Sequence, residues 1–360
     1  MNTLDRYISG LFLKNLAVAL AGLVAFYLFQ ALMGELIDNK YPSSQIIVYN
    51  LMNLPFILVQ MAPPSVMMAT VMTLSGLNRT NELTASFAIG IGIQRISGLL
   101  LGIVFMFSCL MLMMQDRVLP PVFKARNTYY WQEMKKRTDF FLDVKKDKIW
   151  YRSKNLIYNI RTFDPQTKMI HGMAVYTFDE DFGLAQFVEA EKALFTPNGW
   201  RLMDGTVTIF SKEDQSPMTQ TFKEKDLVIQ ETPKDFQEIE REVHGLRLKE
   251  LREYINRSKA SGANTRSYEV EYHSRISLAF IPLVMCILGV PFSIGNRRSG
   301  SAARDFGLSM AVTFFYWLFY SVGLSLGTNG ALPPVLGAWL PSVFFAGLAA
   351  FLLTRNYGQA

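Results

Sequence analysis

A chain of 360 residues, half of them hydrophobic and 13% aromatic, with a positive mean hydropathy, is too apolar for one average soluble domain. Its net charge of +6 would fit a nucleic-acid surface, but the placement of the charges excludes that class: between Asp116 and Arg275 there are 27 basic and 25 acidic residues, so the long polar stretch is nearly neutral. The two cysteines, Cys109 and Cys286, both fall in apolar runs and cannot supply a disulfide framework.

In chain order, residues 2–15 place Leu4, Ile8, Leu11 and Phe12 on one helical face with Asp5, Arg6 and Ser9 largely opposite, which predicts an amphipathic entry lying in the membrane interface. Apolar runs follow at 11–33, 55–77, 96–115, 276–294, 306–328 and 332–353. Each has the roughly 20 residues a helix needs to cross about 30 Å of hydrocarbon. Lys14 alone puts a charge inside these windows, near an end, and central charges are what spanning helices avoid. The first run is too long for the core of a cleavable signal and is expected to be an uncleaved span. Pro55 opens the second span, and Pro63 and Pro64 within it free backbone carbonyls and favour a bend.

Between the second and third spans, residues 78–95 are too apolar for a plain solvated loop. Asn78 or Thr80 is positioned to cap a short helix, Glu82 in its first turn suits the dipole, and Leu83, Phe87 and Ala88 form an apolar stripe. Such a helix on the membrane surface would dock a partner or serve as a re-entry connector. From about Asp147 to Gln230 the period changes. KIWYR, NLIYNIRTF, KMIHGMAVYTF, GLAQFVEAEKALF, WRLMDGTVTIF and KDLVIQ are short β-branched and aromatic runs separated by turn chemistry at 164–167, 178–183 and 197–199. An antiparallel sandwich or jelly roll is expected there. Residues 245–258 then read as an amphipathic helix with Leu248, Leu251 and Ile255 on one face.

The fold class is therefore an α-helical membrane protein with six transmembrane helices and an inserted all-β, jelly-roll-like domain. The expected divisions are 1–118 (spans one to three), 119–270 (the β domain) and 271–360 (spans four to six). If the spans alternate, Arg6, Lys14, Arg79, Arg95, Arg297, Arg298, Arg304 and Arg355 share one side, against Lys40 in the short loops of the other. The positive-inside bias then makes both termini cytoplasmic and the β domain extracytoplasmic.

Motifs for chemistry are missing. There is no GxxxxGK[ST] phosphate loop, no HExxH and no GxSxG elbow, and Gly90-Ile91-Gly92 follows no strand. His171, His244 and His273 lack partners in metal-ligand spacing. No cofactor is expected in this chain, and enzymatic activity is not. Glu35, Asp116 and Asp305 occur near span ends, so the midplane carboxylates of an ion-coupled carrier are lacking too. The remaining class is a membrane scaffold driven by another subunit. Lys40, Arg117, Lys124, Arg126, Arg275 and the run 135–137 are basic residues near the outer boundary that would suit an anionic headgroup or would snorkel at the interface.

Several strings taken in order resemble the lipopolysaccharide-export permease family LptF/LptG (YjgP/YjgQ). LDRYI at 4–8 is similar to the start of its LptG branch, and Pro55 and Pro63 followed by RTNEL at 79–83 resemble its second span and R-x-x-EL coupling segment. LPPVFKARN at 119–127 and LPPVLGAWLP at 332–341 look like its exit from the third span and entry to the sixth. The resemblance implies a permease paired with a sister LptF, driven by a separate LptB-like ATPase dimer that holds ATP and Mg, and associated with an LptC-like bitopic protein. Lipopolysaccharide would pass sideways into a bridge of periplasmic jelly-roll domains, from the inner membrane of a Gram-negative bacterium. Glu82 would carry the coupling glutamate, with Arg79, Leu83 and Phe87 around it, and Arg126 would contact headgroups. Some members carry a lysine in the first span where this chain has Gln30-Ala31-Leu32, and Lys40 stands nearby. The competing reading is a tether that couples an ATPase to a periplasmic partner without moving lipid.

Overall fold

The structure, a computed structural model, describes residues 3–38, 41–134, 141–145, 148–153, 156–164, 169–179, 183–196, 199–210, 217–227, 245–260, 264–294 and 302–357. Helices α1 (Thr3–Asp38), α2 (Ser43–Met52), α3 (Leu54–Arg79), α4 (Glu82–Ala88), α5 (Ile93–Met113) and α6 (Leu119–Tyr129) come first. Strands β1 (Phe141–Lys145), β2 (Lys148–Ser153), β3 (Leu156–Asp164), β4 (Met169–Phe178), β5 (Leu184–Thr196), β6 (Gly199–Ile209) and β7 (Met218–Leu227) follow. Helices α7 (Leu248–Ala260), α8 (Arg266–Ile294), α9 (Ala302–Thr328) and α10 (Pro334–Tyr357) complete the chain. It divides into two compact units, Met1–Val122 with Arg266–Ala360, and Phe123–Thr265.

Among the described residues six helical segments are long and apolar enough to cross a membrane: Thr3–Ile37, Leu54–Arg79, Ile93–Met134, Arg266–Ser293, Arg304–Thr328 and Pro334–Arg355. Within the first unit α3 and α8 are central, with 61% and 67% of their apolar windows buried, against 17% for α1. Their close approach is permitted by Gly289, where a Cβ would lie 2.8 Å from Thr70 Cγ2. The expected interfacial entry is not a separate element. Helix α1 runs unbroken from Thr3, and Ile8, Phe12, Leu16 and Ala19 bury one stripe along it, because a helix already nucleated propagates through the Leu- and Ala-rich run without a breaker. The connection after it also holds more structure than its polarity suggests: in α2 the buried Asn50 donates Nδ2–H to the Glu35 carboxylate at 2.8 Å. The third span continues from α5 through a π-helical turn, Met114–Val118, into α6.

In the second unit all seven strands join one antiparallel sheet in chain order, β1 to β7, each pairing with the next. The inserted domain is all-β in its sheet, with up-and-down connectivity among the described residues. One row breaks its regularity. Pairing through β3 to β7 skips one shared level, where Arg161, Gly172, Glu191, Asp204 and Lys223 stand opposite one another in turn, and a separate register shift at Thr177/Phe178 lies between β4 and β5. Gly172 and Asp204 have φ of +69° and +52°, the left-handed region. On β5 the buried Ala190 and Ala193 are separated by two exposed residues, Glu191 and Lys192, so the inward parity reverses there. The same reversal separates Ile170 from Met173 on β4 and Leu202 from Val207 on β6.

An aligned irregularity of this kind bends a sheet while keeping one face inward on both sides. Both halves bury into a single cluster that includes Tyr158, Ile160, Met173, Val188, Ile170, Ala193, Trp200 and Leu202. Fully buried Trp200 meets Phe195 edge-on at 5.2 Å between centroids. One meander thus encloses a core that otherwise takes two layers. At the crease Gly205 lets Phe222 lie over the backbone: an added Cβ would fall 2.6 Å from Phe222 Cζ and against the Glu189 carbonyl.

Two sequence expectations need adjustment. Strand β1 precedes the predicted set, and β7 begins at Met218, ahead of the 225–230 run, of which 228–230 lie outside the described residues. Residues 165–167, 180–182 and 197–198 of the predicted turns lie outside the described residues; at the ends of two of them Thr196 Oγ1 donates to Gly199 O at 2.8 Å, and the Gly183 N–H donates to Asp179 Oδ1 at 2.6 Å. Helix α7 forms where expected, with Leu251 and Ile255 buried, and the Glu250 carboxylate accepts the Arg247 N–H at 3.0 Å across its first turn.

Candidate functional site

The segment between α3 and α5 is flanked by ion pairs to α1 and α9. Helix α3 closes at Arg79, and the Thr80 N–H bonds Gly76 O at 3.1 Å. Asn81 then takes φ +60°, a left-handed turn that asparagine tolerates better than most residues, and swings the chain into α4. The expected side-chain caps do not form: neither Asn78 nor Thr80 caps α4, and Asn81 occupies the position with no side-chain cap, its carbonyl accepting the Ala85 N–H at 2.9 Å. Gly90, at φ +83°, ends α4, with the Ile91 N–H reaching back to Ser86 O at 3.0 Å. The Gly90-Ile91-Gly92 string is therefore a helix stop followed by the start of α5.

The predicted stripe divides. Leu83 is buried in the cluster of α1, α3 and α5 residues that includes Ile8, Phe12, Leu77 and Ile96. Phe87 is 42% exposed and Ile89 73% exposed, so the stripe's other end faces away from the unit's own core. Leu83 anchors α4, and Phe87 with Ile89 offers an apolar surface.

Three polar ties hold this element. The Tyr7 hydroxyl of α1 faces the Glu82 carboxylate. Asp5 of α1 faces Arg95 of α5 at 3.5 Å, a pair with substantial exposure. Arg79 Nη2 donates to Asp305 Oδ2 of α9 at 2.5 Å. Glu82 is half-buried, and a carboxylate offers about four acceptor positions, so one hydroxyl leaves it capacity for a further donor. An acceptor beside an exposed phenylalanine and isoleucine is the surface a groove with basic and apolar parts recognises.

The described headgroup candidates are divided between the two units. Arg117, exposed in the π-helical turn, and Arg275 belong to the first unit, whereas Lys124 and Arg126 belong to the second. Arg275 is committed to Glu271, one turn earlier on α8, with both side chains about 15% exposed. Arg126 Cζ lies 5.1 Å from the Phe123 ring centroid, and Lys124 is exposed. Lys40 and the run 135–137 lie outside the described residues, as does His244. Among the described residues no group of three or more metal-ligating side chains forms.

Sequence reasoning missed a ladder of hydroxyls inside the bundle. Tyr316 and Tyr320 of α9 stack at 6.0 Å, Tyr316 pairing with Ser342 of α10 at 2.8 Å and Tyr320 with Ser277 of α8 at 3.1 Å. The signal available was the i, i+4 spacing of two tyrosines in an apolar run.

Comparison with known proteins follows the same layout. The family model described as lipopolysaccharide export system permease LptF/LptG matches residues 6–355. The chain is 22% identical over 370 aligned positions to the lipopolysaccharide export system permease protein LptG of Haemophilus influenzae, covering 99% of each. It is 24% identical over 190 positions to the protein of the same name from Escherichia coli K12, covering 51% of this chain and 52% of that one. Six spanning helices, an inserted β-sheet unit and a family match over nearly the whole length lead to one conclusion: the chain belongs to the LptF/LptG family of lipopolysaccharide export permeases.

Proposed function

We propose that this chain is the LptG-type half of an ATP-driven exporter that extracts lipopolysaccharide from the inner membrane and hands it to a periplasmic bridge of β domains. The observation that carries the reading is the exposed face of α4, where Glu82 keeps acceptor capacity beside Phe87 and Ile89 while Leu83 roots the helix in the bundle. In this reading an LptB-like ATPase dimer, holding ATP and Mg, seats on that face, and a sister LptF and an LptC-like bitopic protein complete the assembly. Both termini are cytoplasmic and Phe123–Thr265 is periplasmic, in keeping with the basic short loops. Lys40, Arg117, Lys124, Arg126 and Arg275 are proposed headgroup contacts, of which Arg275 is paired with Glu271. Substrate and ATP must favour different states of the bundle for the cycle to turn.

Glu82→Lys is expected to cut co-purification of the ATPase at least about tenfold while the chain still reaches the membrane, since a charge reversal meets like charge in the groove. Unchanged co-purification together with unchanged lipopolysaccharide-stimulated ATP turnover would remove the coupling assignment. Photo-crosslinkers along α1 and α9 test the cargo. Lipopolysaccharide adducts support export, and protein adducts alone favour a tether.

A further inference from the structure

We propose that Arg79 and Asp305 form the joint through which the coupling segment moves α9, making Asp305 a positioning residue for transport. The inference rests on the coupling role assigned to α4, and it reassigns Arg79 from an ATPase contact to an internal one. Arg79 is the last residue of α3, separated from Glu82 by the left-handed turn alone. Its guanidinium reaches Asp305 at 2.5 Å, 226 residues away in sequence.

The two charges are well matched to their places. Arg79 closes α3, where a cation complements the helix dipole, and Asp305 lies in the first turn of α9, where an anion does. The Asp305 side chain is 6% exposed, against 39% for Arg79. A carboxylate so enclosed needs its partner, since removing one member of a buried pair leaves an uncompensated charge. Asp305 is also the one acidic residue in α9, and the tyrosine contacts at Tyr316 and Tyr320 lie about three and four helical turns further along. Much of the remaining surface of α9 is exposed and apolar, including Phe306, Phe314, Phe315, Phe319 and Val322. The start of α9 is thus fastened by charge to the residue from which α4 springs. Tyr7 and Asp5 tie the same segment to α1 by more exposed contacts. A push on α4 reaches α9 most directly through the Arg79–Asp305 pair.

The test uses the full-length chain co-expressed with its sister permease and ATPase, reconstituted in phospholipid vesicles containing lipopolysaccharide. Arg79→Gln and Asp305→Asn are each expected to keep the ATPase bound and hydrolysing ATP while lipopolysaccharide released per ATP falls about tenfold. The swap, Arg79→Asp with Asp305→Arg, should restore at least about half of that yield. Single variants that export at wild-type yield, or a swap no better than the singles, overturn the proposal. Because a broken buried pair also weakens the fold, melting of the detergent-solubilised chain without partners runs alongside. The singles should melt about 5 °C lower yet stay folded at the assay temperature, with recovery in the swap. Singles already unfolded at that temperature, without recovery in the swap, also overturn it. If the wild-type chain neither retains an ATPase nor releases lipid, the proposed function fails, and that result is separate from the melting cycle.

Discussion

Gly205→Leu is expected to unfold the β-sheet unit while the helices of the first unit stay folded. At the crease a Cβ on residue 205 runs into the Glu189 carbonyl and stands 2.6 Å from Phe222 Cζ, and the larger part of the conflict is with backbone that cannot rotate away. Relief needs β5 and β6 to separate at the row that bends the sheet, which would open the cluster around Trp200. The cost is on the order of 3 kcal/mol or more, a large share of what stabilises a domain of this size. Two readouts on the full-length protein in detergent follow it: the summed emission of its five tryptophans shifting to longer wavelength as Trp200 is exposed, and new protease cleavage within 141–227 with the helices resistant. A variant with wild-type cleavage and emission would show that the row yields freely and that the packing of Phe222 over Gly205 is incidental.

Gly337→Leu should separate α9 from α10. Membrane helices associate without a hydrophobic drive, so their packing depends on how closely the backbones approach. Here a Cβ on Gly337 would sit 2.8 Å from Gly323 O and 3.1 Å from Gly327 Cα, and one on Gly323 would sit 2.6 Å from Gly337 O. Both partners are main chain, and Gly323 and Gly327 are four apart, the spacing of a small-residue contact face. Pushing the helices apart also strains the Tyr316–Ser342 hydrogen bond and the stacked Phe319–Phe344 rings. A loss of about 3 kcal/mol is expected, seen as a lowered melting midpoint in micelles. Gly347→Leu is the control, because nothing lies within 4 Å of a Cβ there. Equal midpoints for the two variants would count against a glycine-mediated crossing.

The spanning helices were legible because bilayer thickness imposes a length on an apolar run, and that constraint needs no tertiary knowledge. Their ends were not. Residues 3–10 join the first span since nothing in them breaks a helix, and the entry pattern of Leu4, Ile8 and Phe12 turned out to be the packing stripe of a single long element. Strands β4 to β6 were legible from their β-branched and aromatic runs. Strand β7 was not, because Met218–Leu227 is largely exposed and polar, with Phe222 and Leu227 as its half-buried apolar contacts. Its pairing comes from the neighbouring β6 and not from a pattern of its own. At the coupling segment the short helix could be read from composition, and its reversal could not, since a positive φ at Asn81 leaves little trace beyond the residue's tolerance for it. The Arg79–Asp305 tie left less still: complementary charges at the end of one helix and the start of another, with most of the chain between them.

The crease also sets a condition on growth of the sheet. A strand that pairs with an edge takes its inside and outside from the strand it joins, residue by residue. Beside a sheet whose parity reverses at the level of Asp204 and Lys223, a segment of plain alternation would turn its apolar residues inward along one half and outward along the other. A compatible segment carries two polar residues in succession, or a glycine, at that one level. The row therefore acts as a registration mark: it admits an incoming strand in one alignment, and slippage by a single residue turns its side chains to the wrong face.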